Sequence, residues 1–169
     1  PAMNDRMWAH PQVQANARTF GWYTSNPGAV IDVDFLNGGS GSPLMRAQYR
    51  VAGGPGNTDW VNVSQDPVSS HTANWSIPWY DLAEGNNTVE LRAFDLAGNE
   101  DETHDVIYML KDTANPRVQV NEPVYGWWTA DPGAAVDVDF FNDGQGALLD
   151  RACYRIGYSG NWTNVFDED

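Results

Sequence analysis

The stretch Gly21-Trp-Tyr-Thr-Ser-Asn-Pro-Gly-Ala-Val-Ile-Asp-Val-Asp-Phe35 returns as Gly126-Trp-Trp-Thr-Ala-Asp-Pro-Gly-Ala-Ala-Val-Asp-Val-Asp-Phe140, each position displaced by 105. The match runs without a gap from Pro11–Val51 onto Pro116–Ile156. More than half of its positions are identical, among them Asn37/Asn142, Gly39/Gly144, Gly41/Gly146, Arg46/Arg151, Tyr49/Tyr154 and Arg50/Arg155. After a three-residue deletion it continues through Trp60/Trp162 and Val63/Val165. A period of this length is that of a whole small domain and exceeds a solenoid unit. The chain therefore reads as an array. Residues 1–10 lead in or end a preceding unit, 11–115 form a complete first repeat, and 116–169 hold only the N-terminal half of a second, with nothing answering to residues 68–115.

Each repeat must then build its own core, and the composition allows it: 41% of residues are hydrophobic, with eight Trp, seven Tyr and six Phe. Sixteen Gly and ten Pro interrupt the chain too often for long helices. One cysteine, Cys153, excludes an internal disulfide framework. It stands where the first repeat has Gln48, and strand alternation turns it away from the face of Ala152 and Tyr154, as an exposed thiol or an unremarkable substitution. No apolar run approaches the roughly 18 residues of a membrane-spanning helix. No signal peptide opens the chain, and the start at Pro1 suggests a processed product or an excised piece.

The net charge is −14, and the basic set is Lys111 and eight arginines scattered along the sequence. Nucleic acid is not an expected partner, because a phosphate backbone needs a clustered basic footprint. The acidic excess suits a surface that stays hydrated at high ionic strength, or an acidic secreted protein.

Periodicity supplies the fold class. Pro11-Gln-Val-Gln reads as a short edge strand. After the Asn26-Pro-Gly turn, Ile31, Val33 and Phe35 alternate with Asp32 and Asp34. Ala47, Tyr49 and Val51 alternate with Arg46, Gln48 and Arg50, and a reversal at Gly53–Asn57 leads into Trp60–Val63, giving a hairpin. Thr72–Trp79 reads as a strand through Trp75, Ile77 and Trp79. Thr88–Phe94 follows with Val89, Leu91 and Ala93 inward and Glu90 and Arg92 outward, and Val106–Lys111 closes the unit. Short strands at this spacing describe an all-β, two-sheet antiparallel sandwich. The second repeat lacks the later strands, so an apolar face of Val136, Val138, Phe140 and Tyr154 is expected to lie uncovered, completed by further sequence or by a strand from a neighbouring copy.

The ordered set Gly21-Trp-Tyr-Thr24, Tyr49-Arg-Val51, Trp60, Val89-Glu-Leu-Arg-Ala-Phe-Asp-Leu-Ala-Gly-Asn99 and Lys111-Asp-Thr with Pro116 resembles the immunoglobulin-like repeats of large bacterial and archaeal surface proteins. The resemblance covers residues 11–116, and the second unit carries the first three motifs again. It implies tandem immunoglobulin-like β-sandwiches, secreted and non-catalytic, that act as stalks, adhesion units or cell-envelope layers. The linker Asp112-Thr-Ala-Asn-Pro116 departs from the family, which often has two prolines there, and residues 64–86 are longer than usual.

Candidate chemistry is sparse. Asp95-Leu-Ala-Gly-Asn-Glu-Asp-Glu102, close to the linker with Asp112, concentrates oxygen ligands that Ca²⁺ favours, although the same residues suit a turn with solvated acids, and no other cofactor is expected. Trp75, Trp79, Tyr80 and Trp127-Trp128 suit either core packing or stacking on sugar rings. Asn-x-Ser/Thr sequons at Asn62, Asn74, Asn86 and Asn161 suit an extracellular glycoprotein, or arise by chance in an Asn-, Ser- and Thr-rich chain. His10, His71 and His104 fall in no metal-ligand spacing, and no nucleophile motif is present. The expectation is a non-catalytic structural or adhesive module at the cell surface or outside the cell. Its partners would be other copies, further repeats or surface polysaccharide; a carbohydrate-binding module of a secreted hydrolase is the alternative.

Overall fold

The computed structural model describes residues 10–38, 42–53, 59–101, 106–122, 126–142, 144 and 146–167. It is all-β and sandwich-like. Among the described residues the only helical turn is a 3-10 turn at Trp79–Asp81.

Among the described residues of the first repeat there are eight strands: β1 (Gln12–Ala15), β2 (Thr19–Tyr23), β3 (Val33–Leu36), β4 (Leu44–Ala52), β5 (Val61–Ser64), β6 (Ser70–His71), β7 (Gly85–Asp95) and β8 (Val106–Lys111). They form one sheet in the order β1-β3-β6 and another in the order β2-β8-β7-β4-β5. The first places β1 at an edge, as its proline-led sequence anticipates.

Alternation decides which side chains enter the core. In β7 every second residue from Gly85 to Asp95 is buried, so Val89, Leu91 and Ala93 face inward. Ile31, Val33 and Phe35 do the same from the facing sheet, and with Tyr49, Val51, Ile107 and Met109 they make one continuous cluster. Burying each such large side chain stabilises the fold by about 1.5–3 kcal/mol. Asn87 is also enclosed at the head of β7. Its side-chain nitrogen donates to the carbonyls of Ala83, Gly85 and Met109, and its oxygen accepts the Ala83 N–H, so the burial leaves no polar atom unpaired.

Two elements depart from the sequence reading. The strand expected over Thr72–Trp79 is reduced to the pair Ser70–His71, an isolated bridge between Trp75 and Ile31, and the turn at Trp79–Asp81. Beyond the Trp75 bridge, Pro78 has no N–H with which to extend the pairing. The second departure is β2, which pairs parallel with β8 in an otherwise antiparallel sheet. Tyr108 N–H to the Arg18 carbonyl at 2.8 Å and Asp112 N–H to the Tyr23 carbonyl at 3.0 Å bracket that ladder.

The second repeat supplies β9 (Arg117–Val120), β10 (Val138–Phe141), β11 (Arg151–Tyr154) and β12 (Thr163–Asp167). The pairing of β9 with β10 reproduces that of β1 with β3 in the same register, Arg117 facing Phe141 as Gln12 faces Leu36. The pairing of β11 with β12 reproduces β4 with β5, including the irregularity at Ala152/Cys153 that matches Ala47/Gln48. Even side-chain bonds recur: Asn16 bridges Asp32 and Asp34, and Asn121 bridges Asp137 and Asp139. These aspartates face outward as expected, but they are hydrogen-bonded to a neighbouring chain segment rather than merely solvated.

Equivalent residues of the two repeats should therefore differ in energetic weight. Phe35→Ala is expected to cost about 3–5 kcal/mol in urea unfolding of the first repeat. Phe140→Ala, at the matching but partly exposed position, should cost under about 1 kcal/mol.

Candidate functional site

The most developed side-chain array lies on the outer face of the five-stranded sheet. Register sets Arg46 opposite Phe94, Gln48 opposite Arg92 and Asn62, and Arg50 opposite Glu90. Arg92 lies 3.8 Å from the Trp60 ring centre and 5.0 Å from that of Phe94, Arg50 lies 4.9 Å from Trp60, and Arg46 lies 4.5 Å from Phe94. Arg92 Nε donates to Gln48 Oε1 at 2.9 Å, Gln48 Nε2 donates to Asn62 Oδ1 at 2.7 Å, and Arg50 is ion-paired with Glu90. Burial, then the Arg46 and Arg50 charges, hold the Arg92 guanidinium below its ordinary value, with Glu100 opposing them. Three arginines that are scattered in sequence thus meet in space, correcting the expectation that none cluster. Their charges are turned toward rings and a carboxylate, which makes the face a cationic–aromatic ladder.

The acidic loop after β7 is a turn. Both carboxylate oxygens of the buried Asp95 accept from Asn99, one from its backbone N–H and one from its side-chain nitrogen, each at 2.8 Å. Gly98 takes φ of +88°, which its lack of a Cβ permits. Asp101, also buried, accepts the Val13 N–H at 2.8 Å and so ties β1 across the sandwich. Glu102 lies outside the described residues. In the linker, Asp112 accepts from the Ala114 and Ala147 backbone N–H groups. Among the described residues no group of three or more His, Cys, Asp or Glu is arranged to hold a metal.

The aromatic candidates separate. Trp75 is buried against Tyr49 and Phe35, with ring centres 5.1 and 6.3 Å away, so it belongs to the core and offers no stacking face for a sugar. Burial, with the Asp81 and Tyr80 charges, pushes the Tyr49 hydroxyl up to about 12. Trp79 is covered by the Lys111 ammonium, 4.6 Å from its ring centre, which also donates to the Leu82 carbonyl at 2.8 Å. Tyr80, Trp127 and Trp128 are exposed. All four sequon asparagines, Asn62, Asn74, Asn86 and Asn161, are exposed, whereas Asn87 beside one of them is buried. Cys153 is partly exposed, and its thiol lies 3.1 Å from Asn164 Oδ1, repeating the Gln48–Asn62 contact. His71 sits near Phe35, and His104 lies outside the described residues.

The open face of the second repeat is the other feature of note. Val136 is 68% exposed where its counterpart Ile31 is 0%, and Tyr154 is 49% exposed where Tyr49 is 3%. Val118, Val136, Val138, Phe140, Tyr154 and Val165 line a cleft of about 530 Å³. This apolar face is open in the structure. No family model matches the chain, and no curated protein and no solved structure matches it either.

Sequence reading missed the clamp that closes the first repeat. Glu84 accepts from the Thr113 hydroxyl at 2.6 Å and the Thr113 N–H at 2.8 Å, with Lys111 Nζ 3.8 Å away. The two Thr113 bonds hold its carboxyl below the usual glutamate value, aided by Lys111 and opposed by burial. A depressed folded-state pKa stabilises the fold above the unfolded value and loses that contribution as pH falls through the folded value. Glu84→Gln should therefore be less stable than the parent at about pH 6 and indistinguishable from it at about pH 2, by thermal unfolding followed across pH.

Proposed function

We propose that this chain is part of an array of immunoglobulin-like β-sandwich modules in an extracellular or cell-surface assembly, with spacing and load bearing as its non-catalytic task. The observation that carries this reading is the parallel pairing of β2 with β8. These strands lie near the two ends of the first module. Tension applied to those ends pulls them in opposite directions along their length, so the bonds between them resist together in shear. A hairpin pulled from its paired ends opens one bond at a time. The repeated registers and the recurrent Asn–Asp bridges support reading the units as like modules in tandem. The net charge of −14 and four exposed sequons suit a hydrated surface outside the cell.

Single-molecule pulling tests it, because the resistance must depend on direction. In a Cys153→Ala background, handles on cysteines at positions 19 and 111 load the β2–β8 ladder in shear, whereas handles at 23 and 111 unzip it. The shear geometry should need roughly twice the force or more at equal loading rate, forced unfolding being governed by the unfolding barrier. Equal forces in the two directions would defeat the load-bearing reading.

A further inference from the structure

We infer that Asp112 is a latch between consecutive repeats, its backbone held by the first and its carboxylate by the second, so that the two are joined without a free hinge. The inference rests on reading the units as modules in tandem. The pulling experiment loads only the first repeat and is blind to the joint, so either reading can fail alone.

Neighbouring domains on a short linker move relative to one another unless specific contacts hold them. Here the first half of the linker is tied to the first repeat. The Asp112 N–H donates to the Tyr23 carbonyl at 3.0 Å, one bond beyond the Tyr23–Lys111 pair that ends the β2–β8 ladder. Thr113 gives both its N–H and its hydroxyl to Glu84. The second half has little freedom of its own. Pro116 has a fixed φ and biases Asn115 toward extended backbone, and Arg117 already opens β9.

From this anchored backbone the Asp112 side chain crosses to the second repeat. Its Oδ1 accepts the Ala114 N–H at 3.1 Å within the linker, and its Oδ2 accepts the Ala147 N–H at 2.9 Å. Ala147 lies between β10 and β11, in a loop braced from within, since Asn142 Nδ2 donates to the Ala147 carbonyl. Gly146 makes the approach possible. Its φ lies outside the left-handed region, so the backbone there does not call for glycine, yet a Cβ at this position would overlap the Asp112 carboxylate. Gly144 leaves similar room for Ala114, whose Cβ would stand 3.4 Å from one added there. Both carboxylate oxygens are thus taken up by backbone N–H groups, an arrangement that asparagine, with one acceptor oxygen, cannot reproduce. One residue therefore carries a bond to each repeat, and bending the joint must break one of them.

The test measures the distance between spin labels on the two repeats by pulsed electron paramagnetic resonance, using the full chain in a Cys153→Ala background. The labels sit at equivalent exposed positions, Gln14→Cys in β1 and Gln119→Cys in β9. We expect one narrow distance distribution. Asp112→Ala should broaden it at least about twofold, and so should Gly146→Ala, which keeps the carboxylate but fills its place. Because both changes break the same contact, the double variant should be no broader than either single one. Far-UV circular dichroism and tryptophan fluorescence should stay those of the parent, which separates a loosened joint from an unfolded repeat. Should Asp112→Ala disturb the fold, Asp112→Asn reads out the same broadening with the side-chain shape retained. The inference is overturned if the parent distribution is already broad, or if removing the carboxylate and filling its place both leave the width unchanged. It is also overturned if the two changes broaden it additively.

Discussion

The first repeat depends on β7. This strand is hydrogen-bonded along both edges, to β4 on one side and β8 on the other. Its inner face completes the core and its outer face completes the ladder of Arg46, Arg50, Trp60, Arg92 and Phe94. The buried Asn87 at its head and the Asp95–Asn99 turn at its tail satisfy the polar groups that so central a strand encloses. Through β8 it also gives β2 a partner, so the closure of the module at both ends runs through one segment.

Among the described residues the second repeat forms two separate strand pairs. The β9–β10 ladder forms in the same register as β1–β3, with its Asn121 bridge intact, because everything that holds it lies within residues 117–141. The β11–β12 pair forms for the same reason. The Gly-Trp-Trp-Thr segment does not become a strand, although its twin is β2, because β2 takes its hydrogen bonds from β8, some 90 residues further along the chain. Two near-copies of one local sequence thus take different structures, one paired with a distant strand and one not.

Legibility of the site followed the same division. Outward alternation along β4 and β7 marked Arg46, Arg50, Glu90 and Arg92 as surface residues, but only the register between the strands stacks them on Trp60 and Phe94. A pairing assumed between the two alternating segments would have revealed the cluster; charge counting along the chain concealed it. Trp75 was open to two readings because aromatic side chains serve cores and sugar sites alike, and its contacts with Tyr49 and Phe35 decide for the core. The Glu84–Thr113 clamp left no sequence signal, since neither residue type is unusual in a loop.

By itself the sequence determined the all-β class, the inward and outward faces of the long strands and the internal repeat. Those properties follow from period-two alternation, turn residues and self-similarity, all of which are local or internal to the chain. Tertiary structure alone decided the parallel β2–β8 closure, the loss of the expected strand over Thr72–Trp79 and the gathering of the arginines. Each depends on which distant backbone offers free hydrogen-bonding groups at the right spacing, a property of pairing in space that residue order does not carry.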